Sequence, residues 1–236
     1  MTGTTPTRTV ERALALLATV CREDAPSLTE CARSTELPPS TALRLLRTLE
    51  KADFVARGAD GLYRAGPHLV QLGARALGQQ PVVEASLPSM ARIVAQTGET
   101  TYLSVLGPGS TALYVAMIEG THSIRHASWV GRTVPLDGTA AGAALRGRLP
   151  AQGYVTLRSA VEADVTAIAA PVLRPGGVVG AISIVGPAYR IDEATTARFG
   201  SLLTKEASAV SAALGVGSPH LTVRDDRPST ITKRRE

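Results

Sequence analysis

The chain has 236 residues, of which 44% are hydrophobic and 3% aromatic, and its net charge is +5 at pH 7. This length and apolar content allow one large or two modest domains with aliphatic cores, and they exclude a largely disordered chain. Because the charges are spread along the sequence and no apolar run is long enough to cross a bilayer, a membrane protein and binding to nucleic acid through bulk charge alone are also excluded.

The N-terminal third of the sequence predicts three helices. Residues 9–21 carry apolar side chains at helical spacing, which predicts an amphipathic helix. Its apolar face consists of Val10, Ala13, Leu14, Leu17 and Val20. Ser27 and Glu30 have the spacing of a capping box and predict the start of a second helix. Pro38 and Pro39 separate this helix from a third one, because proline is tolerated only in a first helical turn.

The third helix, predicted from residue 40 to residue 52, has two chemically different faces. One face is apolar and holds Ala42, Leu45, Leu46 and Leu49. The opposite face holds Ser40, Thr41, Arg44, Arg47, Thr48 and Lys51. A solvated helix face normally mixes acidic and basic side chains, whereas hydroxyls and cations alone suit the phosphates and base edges of DNA.

A hairpin and a further helix are predicted next. Residues 54–57 and 62–64 have strand character on either side of a Gly/Asp turn. Three helices followed by a hairpin have the order of a winged helix-turn-helix. In such a wing, Arg57 and Arg64 either contact phosphates or contact nothing. Residues 67–80 are helical in pattern and predict a linker helix.

The rest of the chain predicts an α+β domain. A helix over residues 82–97 ends at Gly98, after which the apolar period changes from helical to alternating. The predicted strands cover residues 100–106, 111–120, 123–129, 165–173 and 178–186, the last two forming a hairpin. Residues 137–147 predict the start of a helix that lines a cavity, residues 192–214 predict a final helix, and the polar segment that follows predicts a disordered tail.

No group of residues in the sequence indicates catalysis or metal binding. Cys21 and Cys31 lie in predicted helices and are expected to be buried thiols of a reducing compartment. His122 and His126 lie on a predicted strand, where residues four apart are separated by about 13 Å, too far for a shared metal. Asp137, followed by Gly138 and Thr139, fits a turn better than a nucleophile or a phosphate-binding loop, because the Gly-Lys-Ser of a P-loop is missing. The sequence therefore predicts a cytoplasmic protein that is not an enzyme and has no cofactor.

Six segments, found in the same order, resemble the IclR-type bacterial transcriptional regulators. They are TRTVERALALL (7–17), SLTECARSTELPPSTALRLLRTLEKADFV (27–55), GLYRAGPHLVQLG (61–73), TGETTYLSVL (97–106), VGRTVPLDGTAAGAAL (130–145) and AAPVLRPGGVVGAISIVGPAYRI (169–191). Each segment alone is weak evidence, but together the six cover nearly the whole chain and make the resemblance specific.

The resemblance implies a division of the chain and a set of partners. Residues 1–66 form a winged helix-turn-helix, 67–81 a linker helix, 82–215 a GAF-like effector-binding and oligomerisation domain shortened between 147 and 153, and 216–236 a disordered tail. The DNA-contacting candidates are Ser40, Thr41, Arg44, Arg47, Lys51, Arg57 and Arg64. The implied partners are a palindromic double-stranded operator, a small-molecule effector and further copies of the chain, as a dimer or a dimer of dimers.

The resemblance also places an effector pocket whose usual polar groups are mostly replaced. The family's carboxylate position falls near Leu157 and its cysteine position at Ala167, while its two serine positions hold Ser183 and Val185. Small backbone-donor positions fall at Ala140 and Ala141, and Trp129 packs either in the core or against the ligand. These replacements argue against the usual small oxo-acid ligand. A more apolar effector and a vestigial pocket are the alternatives.

These observations predict a sequence-specific regulator whose operator affinity is modulated by an effector. Two alternatives stay open from sequence. One is a constitutive DNA-binding protein whose C-terminal domain only oligomerises, and the other is an enzyme or sensor whose N-terminal module binds protein.

Overall fold

A computed structural model describes residues 7–126 and 128–215 of the chain. The chain divides between Gln79 and Gln80 into two compact units. Within the described ranges, no helix is both long and apolar enough to cross a membrane. The tail predicted to be disordered, residues 216–236, lies outside the described residues.

The first unit is a three-helix bundle with a two-stranded hairpin. Its elements are α1 (Arg8–Arg22), α2 (Leu28–Ser34), α3 (Pro39–Lys51), β1 (Val55–Arg57), β2 (Tyr63–Ala65) and α4 (Pro67–Gly78). The predicted capping box is present, because the Ser27 hydroxyl accepts from the Glu30 amide at 3.3 Å and the Ser27 amide donates to the Glu30 carboxylate at 2.7 Å. Helix α3 begins at Pro39, one residue before the predicted start at Ser40.

The outward side of α1 differs from the prediction. Val10 and Leu14 are 54% and 59% exposed, whereas Leu16, outside the predicted apolar face, is buried. The helical period locates an apolar arc, but the neighbouring helices cover only part of it. Cys21 is likewise exposed, contrary to expectation, while Cys31 is buried.

The α4 helix also has an uncovered apolar surface. None of its residues is buried, and Val70, Leu72 and Leu77 are between 40% and 62% exposed. Single exposed apolar side chains are ordinary, but several on one helix indicate a surface that packs against something.

The second unit is a six-stranded antiparallel sheet with helices on both faces. Its elements are α5 (Pro81–Thr97), β3 (Thr100–Gly107), β4 (Thr111–Ile118), β5 (Thr133–Pro135), α6 (Ala140–Leu145), β6 (Val155–Arg158), β7 (Val165–Arg174), β8 (Gly177–Pro187) and α7 (Glu193–Ala213). The strands lie in the order β5-β4-β3-β8-β7-β6. The β7–β8 hairpin and the helices α5 and α7 lie where the sequence predicts them.

Alternation along the central strands gives the sheet two unequal faces. Large aliphatic side chains such as Ile168 and Ile182 pack with α5 and α7. Their strand neighbours on the other face, Ala169 and Ala181, pack near α6. Because the side chains on the α6 face are small, this face leaves space above the sheet.

One predicted strand does not form in the described residues, and two observed strands, β5 and β6, were not predicted. Residues 123–126, 128 and 129 are not a strand but part of the connection between β4 and β5. β5 pairs with the outer edge of β4 only at residues 111–113, and the described part of this segment does not pair with the rest of that edge. Conversely, β6 was not predicted, because a four-residue edge strand of mostly half-buried residues has too short a pattern to detect.

Substituting Gly142 tests how closely α6 approaches the preceding turn. A Cβ at this position would collide with the backbone of Leu136. We expect Gly142→Ala to lower the free energy of unfolding by about 3 kcal/mol, since backbone cannot yield as a flexible side chain can. The control Ala143→Gly changes helix propensity alone and should cost about 1 kcal/mol. Urea denaturation measures both, and a Gly142→Ala loss no larger than the control would contradict the close approach.

Candidate functional site

The two faces of α3 are separated as the sequence predicts. Ala42, Leu45 and Leu46 are buried against the other helices. On the opposite side, four predicted DNA-contacting residues are exposed and Thr41 is half-buried. The exposed four are Ser40, Arg44, Arg47 and Lys51. The side chains of these three cations form no hydrogen bond or ion pair with other described residues, so their charges are available to a phosphate or a base edge.

The two arginines of the β1–β2 wing are held differently. The Arg64 guanidinium donates to both carboxylate oxygens of Asp60, at 2.7 and 3.1 Å. These hydrogen bonds lower the pKa of Asp60 to about 2. Arg57 donates to the Gly61 carbonyl at 3.3 Å and lies over the Tyr63 ring, 5.7 Å from its centroid. Both wing arginines therefore already have partners inside the wing.

A cavity lies on the α6 face of the sheet in the second unit. It encloses about 490 Å³ of empty space, the open mouth included. All seven residues predicted for the effector pocket line it: Trp129, Ala140, Ala141, Leu157, Ala167, Ser183 and Val185. The small side chains of β7 and β8 form its floor, so the sheet asymmetry described above is what leaves this space.

Four aromatic rings form one wall of the cavity. The Tyr102 ring lies 5.0 Å from that of Tyr114, and the His126 ring lies 4.9 Å from that of Trp129. The Tyr102 hydroxyl is hydrogen-bonded to His126 Nδ1 at 2.8 Å. Burial raises the pKa of Tyr114 to about 12 and that of Tyr102 further, so both phenols are neutral at physiological pH.

The charged and polar groups of the cavity are few. Glu162 is at its edge, with one carboxylate oxygen 3.3 Å from His126 Nε2. The Ser183 hydroxyl oxygen is fully buried and has no hydrogen-bond partner in the described parts of the chain. No lysine or arginine is among the lining residues that the structure describes.

Sequence reasoning missed most of the polar lining. Tyr102 and Tyr114 are on predicted strands, and their alternate positions on one face of adjacent strands were the signal that could have found them. His126 was placed on a strand with His122, but both lie in the β4–β5 connection. There His122 is 3.7 Å from Glu99 while His126 reaches the cavity. No group of described residues has the composition of a metal site.

Comparison with known protein families identifies both units. The IclR helix-turn-helix domain matches residues 9–59, and the C-terminal domain of the bacterial transcriptional regulator IclR matches residues 74–152 and 147–212. The chain belongs to the IclR family. It is therefore a DNA-binding transcriptional regulator, and both the resemblance and the α+β fold class expected from the sequence are confirmed.

Individual IclR-family proteins match most of the chain. The transcriptional repressor AllR of Salmonella typhi is 27% identical over 248 residues, covering 89% of this chain and 91% of AllR. The structure of an IclR regulator from Alicyclobacillus acidocaldarius, 25% identical, matches with a TM-score of 0.77 over 89% of this chain and all of that one. An IclR homologue from Microbacterium hydrocarbonoxydans, solved with 4-hydroxybenzoate, is 23% identical and matches with a TM-score of 0.74 over 87% of this chain and 98% of that one.

In this IclR-family protein a buried ion pair anchors the loop that carries His126 and Trp129. The Glu99 carboxylate is 1% exposed and accepts from Arg190 Nε at 2.5 Å and Nη2 at 3.0 Å. Arg190 Nη2 also donates to the Ile124 carbonyl at 2.9 Å. One guanidinium thus ties the start of β3 to the loop above the cavity.

Removing this guanidinium should loosen the loop. We expect Arg190→Met to lower the free energy of unfolding by about 3 kcal/mol, because Glu99 is left buried without its cation. The side chain of Trp129, the chain's only tryptophan, should also become more accessible, so that a soluble quencher reduces its fluorescence more strongly. Arg125→Met is the matched control, since it breaks the exposed pair with Glu119 in the same loop and should cost less than about 1 kcal/mol. Equal losses in the two variants would show that the Arg190 pair does not anchor the loop.

Proposed function

We propose that this protein is a cytoplasmic repressor whose affinity for a palindromic operator changes when a small molecule binds its cavity. The observation that carries the proposal is the cationic face of α3, which has no ion-pair partner among the described residues, together with the cavity in the other unit. We divide the chain accordingly into a DNA-binding domain (1–66), a linker helix (67–81) and an effector-binding domain (82–215).

The proposed DNA contacts follow from exposure and available charge. Ser40, Thr41, Arg44 and Arg47 face the major groove and read bases and adjacent phosphates. Lys51 and the wing arginines Arg57 and Arg64 neutralise phosphates. An arginine bidentate to guanine discriminates between base pairs, whereas a phosphate contact only strengthens binding.

The uncovered apolar side chains of the first unit support assembly into a homo-oligomer. Val10 and Leu14 of α1, and Val70 and Leu72 of α4, expose apolar surface that a second copy would cover. A two-fold dimer presents two α3 helices, which is the reason for expecting a palindromic operator with half-sites spaced by whole helical turns.

The cavity supports regulation rather than a C-terminal domain that only oligomerises. It gathers the seven proposed effector-binding residues on one surface and is lined mostly by apolar side chains, as ligand sites are. The ligand-bound IclR homologue described above supports a small ring-bearing molecule as the effector. We propose no catalytic activity, because the chain belongs to a family of transcriptional regulators.

Substituting Arg44 tests base reading by α3. Arg44→Ala should weaken binding to the operator by about 1–3 kcal/mol while leaving binding to random DNA almost unchanged. Fluorescence anisotropy with operator and scrambled duplexes measures both affinities, and footprinting beside the protein's own gene supplies the operator. Arg148→Ala removes an exposed cation from the other unit and should change neither affinity. An equal loss on both duplexes would reassign Arg44 to a phosphate contact.

Substituting Asp60 tests whether its carboxylate competes with DNA for Arg64. Asp60→Asn should strengthen binding to both duplexes and steepen the salt dependence by up to about 0.9 in the log–log slope, which corresponds to one extra phosphate contact. Asp53→Asn removes the same charge from an exposed residue that has no ion-pair partner among the described residues. If Asp60→Asn binds no more tightly than Asp53→Asn, Arg64 does not contact DNA.

A further inference from the structure

The cavity's charges point to a ligand class more specific than a small ring-bearing effector. We infer that the cavity selects uncharged ring-bearing molecules with one buried hydrogen-bonding group, such as aromatic amides, alcohols or phenols, and rejects carboxylates. This inference rests on the proposed function and deepens its effector-binding part.

The first reason is that the cavity offers an anion no countercharge. Among its described lining residues Glu162 is the only acid, and none is a lysine or arginine. A carboxylate transferred from water into an apolar cavity without a cationic partner loses hydration that nothing replaces. His126 does not supply this charge freely, because its Nε2 already lies 3.3 Å from Glu162 and its Nδ1 is bonded to Tyr102.

The second reason lies at one approach to the cavity. Glu162 and His126 also line an adjacent, more open groove together with Asp164 and Arg125. The Arg125 guanidinium is engaged by Glu119, with Nε 2.6 Å from the carboxylate. An anion that approaches by this groove therefore meets two carboxylates and a cation that is already paired.

The shape and surface of the cavity favour a flat ring. The Tyr102, Tyr114 and Trp129 rings form one wall, and Ala167 and Val185 lie on the floor. Aromatic rings pair favourably in offset or edge-to-face arrangements, and the small residues of the floor leave room for such a ring.

One polar atom in the cavity still needs a partner. The Ser183 hydroxyl is buried and unpartnered within the described residues, and a buried hydroxyl without a hydrogen bond is costly. A ligand hydroxyl or carbonyl would satisfy it.

A matched pair of probes tests the inference on the full-length protein. 4-Hydroxybenzamide and 4-hydroxybenzoate share the same phenol ring and differ in one charge. Calorimetric titration at pH 7.5, checked by quenching of Trp129, should show the amide binding at least tenfold more tightly. In Glu162→Gln this preference should shrink at least threefold, and in Ser183→Ala the amide should bind several-fold more weakly. Glu84→Gln removes an exposed charge of the same unit that lines neither the cavity nor the groove, and it should leave the preference unchanged.

The outcomes separate the inference from the proposed function. If 4-hydroxybenzoate binds as tightly as 4-hydroxybenzamide, the inference is overturned and effector binding stands. The same holds if Glu162→Gln does not alter the preference for the amide. If neither probe nor phenol binds at millimolar concentration while the operator is still bound, both the inference and the effector part of the proposed function fail. Tighter binding of the amide that also shifts operator affinity supports both.

Discussion

The second unit depends on one constraint, which is the unequal size of the side chains on the two faces of its central strands. Ile168, Ile182 and Ile184 on one face make a dense core with α5 and α7. Ala167 and Ser183 on the other face line the cavity and cannot fill the same volume. Because interiors are otherwise packed to crystal-like density, the space above these two small side chains lies under the roof that α6 and the β4–β5 connection form. The cavity is thus a consequence of strand composition.

Polar contacts hold the β4–β5 connection above the cavity, whereas α6 packs on the sheet through apolar side chains. The β4–β5 connection is stabilised where Arg190 meets Glu99 and the Ile124 carbonyl. Inside the cavity the Tyr102 hydroxyl meets His126. A loop anchored at a few polar points can shift as a unit when a ligand enters, whereas the α5/α7 side of the sheet, packed throughout with aliphatic side chains, cannot.

The sequence predicted the parts whose chemistry is local. The capping box at Ser27, the start of α3 to within one residue, and the two faces of that helix all follow from spacing within a few residues. The cavity positions Ala167 and Ser183 came from family resemblance, not from periodicity. His126 could not be predicted, because its role depends on a non-local contact with Tyr102, and the exposure of Leu14 depends on which part of α1 its neighbours cover.

The two units differ in whether the charged side chains at their candidate sites have a partner of opposite charge, and this difference matters more than their total charge. On α3, Arg44 and Arg47 have no ion-pair partner among the described residues, so their charges are available to the proposed DNA contacts. In the cavity the imbalance is reversed, because within the part of the chain that the structure describes Glu162 has a histidine as its ion-pair partner and no lysine or arginine lines the wall. The missing countercharge has opposite effects on the two surfaces. An exposed cation without a partner attracts a polyanion, whereas an apolar cavity without a cation disfavours an anion. A net charge of +5 therefore says little about either site, and the placement of single charges decides both.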